Sequence, residues 1–201
     1  KQAGFIAGLT PTKDRLFEFT YERNEFSDAL YPGAGMDSPE EDSDIFRLKY
    51  ADKPVDSWLK DIKVDAYASN VNHLMDNYSL RTPPSYPASH PKAGKPMLRA
   101  TPTTSDTVGG KLIMQSQSGN TSWNYGLNIQ NNDRDAVLNN MHSGMAKSIS
   151  YLWPGAQINQ SGLFGEAVTR IAEKQRLKYG LRLDYVQASA DKVDDKPQAG
   201  P

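Results

Sequence analysis

Stretches that alternate apolar and polar side chains are joined, along this chain, by connections that are alternately short and long. Four hairpin-like units follow one another. "AGFIAGLT" faces "RLFEFTYERNEF" across Pro11 to Asp14, and "SDIFRLKYAD" faces "WLKDIKVDAYAS" across "KPVDS". "TVGGKLIMQSQ" faces "SWNYGLNIQNN" across "SGNT", and "SGLFGEAVTRIA" faces "RLKYGLRLDYVQAS" across "EKQ". Each short link carries polar or turn-forming residues that suit a tight reversal. Between the units the connections are expected to run from Asn24 to Glu41, from Asn70 to Asp106, from Asn132 to Gln160, and onward from Ala190. Loops of that length are uncommon inside compact water-soluble domains.

In an up-and-down sheet all the short links fall at one end and all the long ones at the other. Outer-membrane barrels have this asymmetry, with short periplasmic turns and long extracellular loops. Side-chain parity agrees with it. Phe17, Phe19 and Tyr21 oppose Glu18, Thr20 and Glu22; Phe46, Leu48 and Tyr50 oppose Arg47 and Lys49. Ile62, Val64, Ala66 and Ala68 oppose Lys63, Asp65, Tyr67 and Ser69. Trp123, Tyr125, Leu127 and Ile129 oppose Asn124, Asn128 and Gln130, and Leu177, Tyr179, Leu181, Leu183 and Tyr185 oppose Lys178, Arg182 and Asp184. A period of two places one set on each face. The first and seventh strands follow the pattern less closely, because glycine and alanine dilute it. Trp58, Trp123 and Tyr179 each come soon after a short turn, the depth of an interfacial aromatic girdle. A soluble β-sandwich also alternates, but with its apolar face packed inward.

The bulk numbers fit this reading. Mean hydropathy is −0.67 and hydrophobic content 37%, values that a strand apolar on one face only can give while still crossing a bilayer. No apolar run approaches the ~20 residues of a membrane helix. With no cysteine, disulfides, thiolate metal sites and cysteine catalysis are excluded within this chain. A net charge of −1 gives no reason to expect nucleic acid as a partner. No catalytic constellation appears either. "SGNTS" and "VGGK" lack the spacing of a phosphate loop, and three scattered histidines make no zinc triad. The chain reads as a non-enzyme.

The expected fold is therefore all-β: an antiparallel, up-and-down transmembrane β-barrel segment with about eight strands of a larger barrel. The polar face carries Lys, Arg, Glu, Asp and Tyr, which suit a water-filled or plugged lumen. A start at Lys1 and a loop-like finish point the same way, to residues 1–201 as a partial barrel domain.

One short motif carries possible chemistry. Counting by twos from Lys63 gives Asp65, Tyr67, Ser69, Val71, His73 and Met75. His73 and Met75 thus fall on the lumen side, at the long-loop end. Two donors at i and i+2 lie ~6.5–7 Å apart along a strand, and flexible side chains there converge on one ion. Imidazole with thioether favours copper, Cu(I) in particular, because thioether sulfur is soft. Two ligands make no tight site, so other donors must come from elsewhere. A second cluster, "NNMHSGMAKS", holds Met141, His142 and Met145. If helical, Met141 and Met145 share a face. That stretch reads as a short amphipathic helix packing its methionines on the barrel rim, with an external copper-capture site as the alternative. Met36, Met97 and His90 stand isolated. The stretch from Asp28 to Asp44 has six acidic residues and no basic one, and reads as a solvated loop. The stretch after Arg81 has six prolines between Pro83 and Pro102 and should be irregular.

At "NVNHLMDNYSLR" the sequence resembles the TonB-dependent copper receptors of the bacterial outer membrane. The hairpin rhythm and the "NNMHSGMAKS" region are compatible with that family. The resemblance implies that His73 and Met75 are the barrel's His-x-Met contribution to a copper site. It implies further ligands, a Cys and a Met, from a plug domain that is not recognisable in this chain. It also implies three partners: a copper ion, outer-membrane lipid, and the inner-membrane energy-coupling protein TonB acting through the plug. A ferric-siderophore receptor and a passive porin or adhesion barrel are the alternatives.

Overall fold

The computed structural model describes residues 1–54, 58–142 and 145–195. Eight strands form one sheet in chain order: β1 (Gln2–Thr12), β2 (Arg15–Ala29), β3 (Asp37–Asp52), β4 (Leu59–Asp76), β5 (Arg99–Ser118), β6 (Thr121–His142), β7 (Met145–Ala172) and β8 (Gln175–Ala190). Each strand pairs antiparallel with the next. The sheet is a single layer, so the sandwich alternative falls away. Its edges β1 and β8 are not paired with each other.

The parity read from sequence survives in the register. One row across all eight strands is Leu9, Phe17, Tyr50, Val64, Leu112, Leu127, Leu163 and Leu183. None of the described residues covers it. Leu9, Leu163 and Leu183 are more than 60% exposed, and the only buried hydrophobic residues described are Ala100, Ala136 and Ala167. A soluble protein hides such a surface in a core. Here it is left bare across a single up-and-down sheet, as the lipid-facing band of an outer-membrane barrel wall is.

The band slopes. Two rows towards the long-loop end, Phe5, Tyr21, Phe46, Ala68 and Val108 are apolar, but the same row continues as Asn131, Asn159 and Gln187. At the short-turn end β8 adds Leu181, Tyr179 and Leu177 instead. A membrane slab crosses tilted strands obliquely, so the apolar set drifts from strand to strand. Trp123 and Tyr179 meet edge-on there, ring centroids 6.3 Å apart, on the outward face.

Two of the long connections, from Asn24 to Glu41 and from Asn132 to Gln160, are mostly strand, whereas the one after β4 leaves the sheet from Asn77 to Leu98. A membrane strand needs ~9–11 residues, yet β6 has 22 and β7 has 28. The stretch expected to loop from Asn132 to Gln160 continues the β6–β7 ladder as far as the pair His142 and Met145. The expected helix around Met141 and Met145 is therefore replaced by a hairpin end. The Asp28–Asp44 stretch is likewise strand from Asp37 onward. Cross-strand polar pairs support these extensions on the outward face. Arg23 donates to Asp44 (2.7 Å), Asn70 to Asp106, and Gln157 to Asp133 (2.7 Å). Above the bilayer both faces are wet, so strands persist there without apolar alternation.

Candidate metal site at the outer end of β4

From Asp61 to Asp76, β4 keeps unbroken register with β5. No bulge turns the strand over, so His73 and Met75 share the face of Lys63, Asp65 and Tyr67. That face looks away from the lipid band. His73 lies five residues beyond Ala68, roughly 17 Å along the strand at ~3.3 Å per residue. The pair thus stands on the extension beyond the apolar band.

Register sets the neighbours. His73 lies opposite Glu41 on β3 and Thr103 on β5; Met75 lies opposite Thr101. Glu41 Oε2 is 2.9 Å from His73 Nδ1, with the imidazole partly buried. A carboxylate only accepts, so Nδ1 carries a proton, and in the neutral imidazole Nε2 then keeps its lone pair. A carboxylate on one imidazole nitrogen with the other free is the arrangement of metal-ligating histidines.

The connection between β2 and β3 folds over this end of β4. The Tyr31 ring meets His73 edge-on at 6.4 Å. The Met36 sulfur accepts a hydrogen bond from Thr101 Oγ1 at 3.8 Å. Asp37, which follows Met36, is 2% exposed and fixes the fold of this connection. Its carboxylate takes Arg81 Nε at 2.6 Å, Arg81 Nη2 and the Tyr31 N–H at 2.7 Å. The guanidinium of Arg81 holds the Asp37 carboxyl below the usual carboxylate range, helped by the Tyr31 N–H and opposed by burial. Arg81 Nη2 also donates to the Tyr31 carbonyl at 3.2 Å. Asp76, 1% exposed, caps the turn after β4 by accepting from the Tyr78 and Ser79 N–H groups at 3.0 and 2.7 Å. Asn77 ties that turn to Met97 and Arg99 at 2.9 and 2.8 Å.

The acidic run from Asp28 to Asp44 is not a solvated loop. Glu41 points towards His73, Asp42 and Asp44 engage Arg23 on the opposite face, and Asp37 is buried against Arg81. Met141 and His142 sit at the end of β6, two strands from β4. His142 lies opposite Met145, which is 70% exposed, so that cluster does not join His73. His90 stacks on Tyr86 at 4.3 Å in the proline-rich connection. Glu41, Met36 and Tyr31 were not candidates in the sequence. Pairing counted outward from the "KPVDS" turn puts Glu41 opposite Ser69; the observed register, with Asp52 opposite Ile62, is what brings Glu41 to His73, and no local signal places Met36.

No protein-family model matches the sequence, and no curated protein matches it. Among solved structures the chain is similar to copper transporter OprC, with a TM-score of 0.78 and 26% sequence identity. The match covers 94% of this chain and 29% of that one, so the chain spans under a third of that protein's length. The likeness is to a transporter, not to an enzyme.

Proposed function

We propose that residues 1–201 are part of the barrel of a TonB-dependent outer-membrane receptor that binds and imports copper, Cu(I) in particular. The observation that carries this reading is the pair His73 and Met75 on one non-lipid face, with Glu41 engaging Nδ1 so that Nε2 is free. The likeness to a copper transporter supports the choice of cargo. Soft sulfur beside imidazole suits Cu(I) over harder divalent ions.

The open edges support the partial-barrel reading. β1 and β8 each present unpaired backbone groups, and in hydrocarbon every such group needs a partner. Further strands of the complete receptor supply those partners, towards the ~22 of outer-membrane transporters. External loops admit copper, His73 and Met75 hold it facing the lumen, and a plug completes the ligand set with a Cys and a Met. Energy coupled through TonB then rearranges the plug and releases the ion inward. The ion is cargo, and no bond chemistry is done on it.

The test is the double variant His73→Ala, Met75→Ala in the complete receptor, read by competition for Cu(I) against a colorimetric chelator. Copper binding should collapse while the barrel stays folded in detergent. Unchanged binding refutes the assignment.

A further inference from the structure

We propose that Met36 is a third donor to the copper site, carried onto it by the connection between β2 and β3; this rests on the copper reading of His73 and Met75. The Thr101 hydroxyl lies 3.8 Å from the Met36 sulfur, and Thr101 is the register partner of Met75 across β4 and β5. Directly opposed residues on one face have Cβ atoms ~4.5–5.5 Å apart. The Met36 thioether therefore hangs over the same face as Met75, within one side-chain length of it. Tyr31, from the same connection, reaches His73. The connection thus touches the pair through Tyr31 at one residue and arrives beside the other through Met36.

The placement is enforced. Asp37 is gripped by Arg81 and by the Tyr31 N–H, which fixes the backbone next to Met36. Gly35, at φ 72°, supplies the left-handed turn that brings the chain into Met36. A thioether is a weak acceptor, so the Thr101 contact alone gives little reason for sulfur at this position. A flexible, polarisable side chain over a His-x-Met pair has a clear chemical use. One imidazole and two thioethers from the barrel are a soft contribution that suits Cu(I) and Ag(I) and disfavours Zn(II).

The experiment compares the complete receptor with its Met36→Leu and His73→Ala, Met75→Ala variants. Leucine keeps the bulk and removes the sulfur. Cu(I) and Ag(I) affinities are read by chelator competition, and sulfur neighbours of bound copper by X-ray absorption. Met36→Leu should lower Cu(I) affinity about tenfold or more and remove one sulfur neighbour. If Met36→Leu matches wild type on both readouts while the double variant loses copper, the Met36 proposal is overturned and the His73–Met75 reading stands. If the double variant also keeps copper, the underlying reading falls and this proposal with it. Should Met36→Leu fail to assemble, Met36→Gln, of similar length and without a soft donor, gives the same comparison.

Discussion

Glu41 and His73, 32 positions apart in the chain, meet at 2.9 Å through Oε2 and Nδ1 because β3 and β4 hold register from Asp52 and Ile62 as far as Glu40 and Leu74. The contact fixes the imidazole tautomer before any ion arrives. Glu41 is thus a positioning residue for His73. Outer partners of ligating histidines are typically worth 10–100-fold in metal affinity. Glu41→Ala should lower Cu(I) affinity by about that range, while Glu41→Gln, which still offers a carbonyl acceptor, should recover part of it. A purely packing role predicts no such rescue, and equal losses in both variants would point to it.

The Asp37–Arg81 bridge makes a pH-dependent clasp. The Asp37 carboxyl sits below its ordinary range because Arg81 and the Tyr31 N–H favour its charged form. A depressed carboxyl contributes stability above its unfolded pKa, about 3.9, and loses it as pH falls through the folded value. Arg81 stays charged throughout. Limited proteolysis between Leu30 and Met36 should therefore be slow from pH 5 to 7 and fast only in stronger acid. Arg81→Ala should make the same segment sensitive at neutral pH. Resistance of that variant at pH 7 would assign the order of this connection to something else.

Lipid contact is tested on the row through Leu163 and Leu183. Leu163→Arg puts a charge near the middle of the apolar band, where such changes cost about 2–4 kcal/mol. Folding of the complete receptor into lipid vesicles should show that loss. Lys111→Ala, on the opposite face, should fall within about 0.5 kcal/mol of wild type. Reversed sensitivities would mean that the faces are assigned the wrong way round.

The apolar band was legible in the sequence because one face is greasy and the other is not; Phe17, Leu48, Val64 and Leu183 declare themselves by period alone. Parity then carried His73 and Met75 to the non-lipid face, since β4 has no bulge between Asp61 and Asp76. Strand ends were not legible. Beyond the band both faces are polar, so Asp37–Asp44 and Asn132–His142 lose the alternation while the backbone ladder continues. The helical spacing of Met141 and Met145 was a coincidence of positions across a hairpin. Asp37 and Arg81, 44 residues apart, and Met36 over Thr101 depend on how a connection folds back, which no local pattern encodes.

Tyr67 and Gly109 offer a test of the lumen face that leaves the site alone. They are register partners on β4 and β5, and the phenol ring lies across the glycine. A Cβ built on Gly109 would stand 2.5 Å from the ring and 2.9 Å from the Ile129 carbonyl oxygen. Tyr67 Oη donates to Gln130 Oε1 at 3.2 Å, on the far side of that glycine. Gly109→Val must therefore push the ring away and break a bond that spans three strands. Overpacking of this kind typically costs about 1–3 kcal/mol. Gly165→Val is the control, because nothing lies within 4 Å of its would-be Cβ and a β-branched residue suits a strand. In urea unfolding from vesicles, Gly109→Val should lower the midpoint and Gly165→Val should not. Pairing Gly109→Val with Tyr67→Ala should restore part of the loss, because the smaller side chain vacates the space. If the double variant is no better than Gly109→Val alone, the ring is not what the glycine accommodates.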